Sequence, residues 1–224
     1  MKHLLNLLGL LVMGSACSLA VISQTTQPQD DEDFQSWNDI SITIPVSKRV
    51  DLSLQTTARF TQNVSRFNEA RVGAGLSVKL TKAVSVSNAY TYIESRNSSG
   101  AFRIEHRYSL RGTYKFPTKS FGLVHRSTYE YRGRSSGNSW RYRAALTFEK
   151  GLPEKVIPKV KIFITEEPFY MSTTRKFSRN RFTIGINKVL TPKLSLDIYY
   201  VRQNDGFSHP GDLNVIGTSW KIKL

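Results

Sequence analysis

The 224-residue chain contains a single cysteine, Cys17, and only four histidines. That excludes a disulfide framework and leaves no set of soft or imidazole ligands for a transition-metal site. Nor does any motif call for a cofactor. Long hydrophobic runs are also missing. Beyond the N-terminus no stretch of 18 or more apolar residues occurs, so a transmembrane helix is excluded. A transmembrane barrel is not, because every second residue of its strands is polar. Negative charge is scarce too: 17 Asp and Glu stand against 32 Lys and Arg, a formal net charge of +15. The length suits one domain, and no linker interrupts it.

What is present begins with a leader. Met1-Lys2, the apolar run Leu4–Met13 and the small residues Gly14, Ser15 and Ala16 lead to Val21-Ile22-Ser23. This is the n-region, h-region and cleavage zone of a signal peptide over residues 1–23, with cleavage after Ala20 as the alternative. Cys17 sits where a lipoprotein cysteine would, but Gly14 replaces the usual Leu three residues earlier. Residues 24–33, with Pro28 and the run Asp30-Asp31-Glu32-Asp33, read as a flexible acidic tail. Export takes the chain away from cytoplasmic DNA and RNA. Its positive charge therefore points to lipopolysaccharide phosphates or small anionic solutes, with no nucleic acid partner.

From Phe34 to Leu224 the pattern alternates almost without pause. In Ala101–Arg132, Arg103, Glu105, Arg107, Arg111, Arg126, Glu130 and Arg132 fall on one face; Phe102, Ile104, Tyr108, Leu110, Leu123, Tyr129 and Tyr131 fall on the other. Period two with an aromatic-rich face signals a β-hairpin. Strands of a dozen residues with charges in a row fit an all-β transmembrane antiparallel barrel of 10–12 strands, apolar face to lipid and polar face to the lumen. Eleven strands can be counted. Even numbers are the rule for bacterial single-chain barrels, which favours twelve, then ten. Short turns are expected after odd strands and longer loops after even ones, and Pro168 at a bulge or strand end.

Alternation turns Arg59, Arg71, Arg103, Glu105, Arg107, Arg126, Glu130, Arg132, Arg141, Arg143, Glu149, Lys161, Glu167 and Arg181 inward. Two readings follow: the side chains pair across a small lumen and fill it, or the surplus arginine lines a narrow anion-preferring pore. Arg132, Arg134, Arg175, Lys176, Arg179 and Arg202 cluster near loop ends, where they could grip lipopolysaccharide phosphates. On the outer face, Gly122-Leu123-Val124-His125-Arg126-Ser127 resembles the G-x-x-H-x-S core of outer-membrane phospholipase A, which would make His125 and Ser127 a catalytic pair of a lipid hydrolase. That motif continues with Asn-Gly, whereas Thr128-Tyr129 follows here, and no Asn is placed to orient His125. His106 reads as part of an aromatic girdle.

Trp37, Glu105-His106-Arg107, Arg126, Glu130 and Arg132, Arg141-Tyr142-Arg143, Glu167 and Phe169, Asn180-Arg181 with Gly185, and Tyr199-Tyr200 together, in that order and spacing, resemble an exported bacterial family known as domain of unknown function 2490. The resemblance implies an outer-membrane barrel and no established activity. The expectation is a non-enzymatic monomer of the bacterial outer membrane. The lipid hydrolase and a secreted soluble β-sandwich are the alternatives.

Overall fold

The computed structural model describes residues 32–97, 99–155 and 157–224. The signal peptide and most of the acidic tail lie outside them. Eleven strands follow one another: β1 Glu32–Pro45, β2 Val50–Thr61, β3 Arg66–Lys79, β4 Val84–Arg96, β5 Phe102–Lys115, β6 Gly122–Arg134, β7 Ser139–Gly151, β8 Val160–Met171, β9 Lys176–Thr191, β10 Leu194–Asp205 and β11 Asp212–Lys223. Each pairs with its sequence neighbours, and β1 meets β11 to close a barrel. Closure leaves no strand edge unpaired, as a sheet in lipid requires.

The even strand number expected from bacterial barrels is not found. An up-and-down meander of odd count brings its first and last strands together running the same way. Accordingly β1 and β11 pair in parallel, from Glu32 opposite Asp212 to Thr43 opposite Lys223. The other ten pairs are antiparallel. Glu32 and Leu224 consequently lie at opposite rims, here called proximal and distal. Side chains reinforce the seam: Arg202 donates to Glu32 and Asp212, and Thr218 donates to Asn38.

Connections differ less between rims than the sequence implies. Those at the proximal rim cover residues 62–65, 97–101, 135–138, 172–175 and 206–211; those at the distal rim cover 46–49, 80–83, 116–121, 152–159 and 192–193. The expected contrast of short turns and long loops is absent, because the strands continue through polar stretches such as Arg66–Asn68 and Gly133–Arg134. Pro168 lies within β8 at a gap in the β7–β8 ladder, which pairs neither it nor Glu167 but keeps one offset on either side. Only the β8–β9 ladder shifts, one residue later, between Phe169 and Tyr170.

Glu32 and Asp33 belong to β1 and not to the tail. Asp33 is buried and holds the β2–β3 connection. Its carboxylate accepts from the backbone N–H of Gln62 at 3.2 Å and of Asn63 at 3.1 Å, and from the Thr61 hydroxyl. Gln62, Asn63 and Val64 all have positive φ, a costly geometry for a β-branched residue. Side-chain capping offsets that cost.

The outer face is apolar. Val72, Tyr108 and Leu110 each show more than half of their surface. Aromatic residues gather toward both rims: Tyr129, Trp140, Tyr170 and Phe177 form a continuous ring contact near the proximal one, and Phe121 with Phe148 and Tyr114 with Phe116 lie near the distal one. An apolar band between two aromatic girdles is what a lipid bilayer requires of a barrel.

Candidate functional site

Inside, the lumen has two unlike halves. In the proximal half, four glutamates hold eight arginines. Glu69 pairs with Arg59 and Arg71; Glu105 with Arg107, Arg132 and Arg134; Glu130 with Arg141 and Arg143; Glu167 with Arg143 and Arg181. The register explains the grouping. On β5, β6 and β7, Arg107 opposes Arg132 and Glu130 opposes Arg141, so each carboxylate arrives beside guanidinium groups from neighbouring strands. Glu105, Arg107, Glu130 and Arg141 are buried. Several contacts are short: Arg107 and Arg134 each reach Glu105 at 2.5 Å, and Arg132 at 2.8 Å. Others are long, such as Glu167 to Arg143 at 3.7 Å and to Arg181 at 3.6 Å.

Two buried rings support this cluster. Phe169 is fully buried, with the guanidiniums of Arg141, Arg143, Arg179 and Arg181 over its face at 4.9–5.8 Å. Trp37 lies beneath Arg59 at 3.7 Å and Arg181 at 4.8 Å. A π-face accepts a cation without contributing a charge of its own, which suits a site with more arginine than carboxylate. Trp37 donates through its indole N–H to Gln35, and Gln35 donates to Asp33, tying the lumen floor to the capped turn. Trp37, Val201, Leu213 and Val215 complete a small apolar cluster against the β1–β11 seam.

In the distal half, a cavity of about 530 Å³ is lined by Trp37, Arg126, Phe163, Glu167 and Tyr199, among others. Missing side chains make room for its rings. A Cβ on Gly185 would stand 2.6 Å from the Phe163 ring, and one on Gly217 would overlap the Tyr199 ring. Tyr199 donates to Asp39 at 2.9 Å, and Asp39 also accepts from Thr57. Toward the distal rim the lysines are solvated: Lys161 lies 3.9 Å from Glu149, both more than one-third exposed, and the exposed Lys221 contacts the buried Asp197 at 2.5 Å.

Of the residues foreseen for the lumen, Arg59, Glu105, Arg107, Glu130, Arg132, Arg141, Arg143, Glu167 and Arg181 form the proximal network. Arg103 opposes Ser95 on the inner face but makes no ion pair among the described residues. Arg126 lines the cavity, as do Arg59, Glu167 and Arg181 of the network. Glu69 escaped notice because the third strand reads as starting at Ala70, although it falls in phase with Arg71. Three loop-end cations are corrected: Arg132 and Arg134 bind Glu105 inside the barrel, and Arg179 binds Asp205. Arg202 is tied to Glu32 and Asp212 at the seam. Arg175 and Lys176 remain exposed.

On the outer face, His125 Nε2 and Ser127 Oγ are 3.0 Å apart, and Ser127 Oγ is 2.9 Å from the Tyr142 hydroxyl. A catalytic pair needs a group that orients its base. Among the described residues no acid or amide reaches His125. His106 also faces outward; its Nδ1 lies 2.7 Å from the Tyr90 hydroxyl, and its ring packs on Tyr90 and Tyr92.

Comparison with known proteins adds the following. An anion-selective porin from Comamonas acidovorans is similar at 10% identity and a TM-score of 0.41, over 80% of this chain and 55% of the porin, so the chain spans about half of that protein's length. A chain from a structure described as "Unveiling the Mechanism Behind the in-meso Crystallization of Membrane Proteins" is similar at 19% identity and a TM-score of 0.41, over 76% of this chain and 74% of that one. No curated protein matches. The family model "Protein of unknown function (DUF2490)" matches residues 34–214, the span from the apolar start of β1 into β11 that carries the arginine–glutamate network. The chain belongs to the DUF2490 family.

Proposed function

We propose that this chain is a monomeric protein of the bacterial outer membrane, non-enzymatic, whose lumen is closed at mid-height and serves as a binding cup and not as an open pore. The observation that carries this reading is the cluster of four glutamates and eight arginines spanning β2 to β9, of which Glu105, Arg107, Glu130 and Arg141 are buried. Charges so enclosed persist only when paired, and once paired they occupy the cross-section that a solute would need. The apolar exterior and its two girdles support the membrane location. Lipid is the partner of that surface, and lipopolysaccharide phosphates fall to the exposed Arg175 and Lys176.

Planar-bilayer recording tests this. The wild-type barrel should show no steady conductance. A steady anion-selective conductance, lost on Arg126→Ala with Arg143→Ala, overturns closure and establishes the anion-preferring pore in its place.

The approach of His125 to Ser127 favours one second reading, a lipid hydrolase acting at the outer face. The Tyr142 hydroxyl competes for the same Ser127 oxygen, and no acid or amide among the described residues orients His125, so we assign the pair a packing role. Phospholipid turnover by the purified barrel, abolished by Ser127→Ala, would reverse that assignment.

A further inference from the structure

We propose that the distal cavity binds an amphiphilic monoanion, a carboxylate on an aromatic or apolar body, with Arg126 as the anchor of the anionic group. The inference rests on the closed-cup reading above.

Charge comes first. The cavity wall carries five Lys and Arg and four Asp and Glu side chains, one cation in excess. The pairings locate the excess. Lys161 has Glu149, Lys221 has Asp197, and Arg181 has Glu167. Arg59 turns to Glu69, and Asp39 is taken by Tyr199 and Thr57. The Arg126 side chain makes no hydrogen bond or ion pair among the described residues, and Glu167 and Glu149 act on it only at longer range.

Its surroundings deepen the deficit. Arg111, two residues from the strand partner of Arg126 on β5, reaches only the Thr128 hydroxyl, at 3.2 Å. In the adjoining network the Nε atoms of Arg59 and Arg143 make no hydrogen bond and meet carboxylates only at ion-pair distance, Glu69 at 3.4 Å and Glu167 at 3.7 Å. An unpaired guanidinium lining a partly enclosed cavity favours an incoming anion, and carboxylate geometry matches its planar fork.

The apolar share comes from rings and valines of the same cavity. Trp37, Phe163 and Tyr199 line the same cavity with Val124 and Val201. Gly185 and Gly217 hold no side chain that would displace the rings. A volume of about 530 Å³ lies within the range typical of small-molecule sites. A ring or short chain can rest on these groups while its carboxylate meets Arg126.

Titration calorimetry on the folded barrel in detergent, with folding checked by heat-modifiable migration, tests the proposal with three probes. Benzoate should bind. Benzyl alcohol, its neutral counterpart, and inorganic phosphate, which lacks the apolar body, should each bind about tenfold more weakly or less. Arg126→Gln should reduce benzoate affinity about tenfold or more, Arg126→Lys should keep most of it, and Arg103→Gln, outside the cavity, should keep all of it. Should Arg126→Gln not fold, Arg126→Lys against wild type with the neutral probe carries the same test. Absence of benzoate binding, equal binding of benzyl alcohol or of phosphate, or indifference to Arg126→Gln overturns the proposal. Conductance decides closure separately, so failure of the ligand and failure of the closed cup remain distinguishable.

Discussion

The two halves of the lumen use the same residue types to opposite ends. In the proximal half, Glu105 and Glu130 are buried under several arginines each, and Phe169 and Trp37 accept cation faces where carboxylates run out. In the distal half, Lys161 with Glu149 stands open to water, and the Arg126 side chain has no ion-pair partner among the described residues. Burial makes the difference. A charge enclosed without a partner is costly, so the proximal half forms a connected cluster. Arg126 is only partly enclosed and lines the cavity, so the distal half can leave a cation and a cavity available. On the proposed reading, closure and recognition fall to different levels of one barrel.

The largest expected effect comes from removing a proximal carboxylate. Glu105→Ala leaves three arginines without their shared partner, and should destabilise the barrel by about 3–5 kcal/mol, read as a lower urea midpoint for loss of the heat-modifiable form. Next is the cradle under Tyr199. Gly217→Val drives side-chain atoms into that ring, an overpacking expected to cost about 1–3 kcal/mol and to weaken any ligand of the cavity. Asp33→Ala should come third. It frees the amide groups of Gln62 and Asn63 and should cost about 1–3 kcal/mol, with faster amide exchange confined to the β2–β3 connection. Smallest is Lys161→Gln at the distal rim, expected to shift stability by less than about 1 kcal/mol and to lose even that in high salt. If Lys161→Gln proved as costly as Glu105→Ala, the contrast between the halves would fail.

Much of this was legible from alternation alone. The phase of charges along Arg103, Glu105 and Arg107 and along Arg141 and Arg143 is the phase the lumen adopts, since a strand's two faces are separated by its period of two. Phe169 and Trp37 were named for their spacing but not placed inside, although Phe169 shares the phase of Glu167; an aromatic on a charged face is easily assigned to the membrane instead. Strand ends were less legible. Arg134 and Arg179 look like loop cations because the apolar outer residues give way there to Gly133 and Asn180, while hydrogen bonding carries the strands on. The parallel seam was hidden for a different reason. It joins residues some 180 positions apart, from Glu32 and Asp212 onward, and no local pattern reports such a pairing.

Thiol accessibility tests the two-level lumen most directly. The sequence holds no cysteine after Cys17, so single substitutions in the barrel are read without background. Val215 and Ser219 share the inner face of β11; Val215 is fully buried, whereas Ser219 lines the cavity. A small anionic thiol reagent applied to the folded barrel from both sides should modify Ser219→Cys rapidly and leave Val215→Cys unmodified. Equal rapid labelling of both would mean that water and anions cross the proximal network, and closure of the lumen would be wrong.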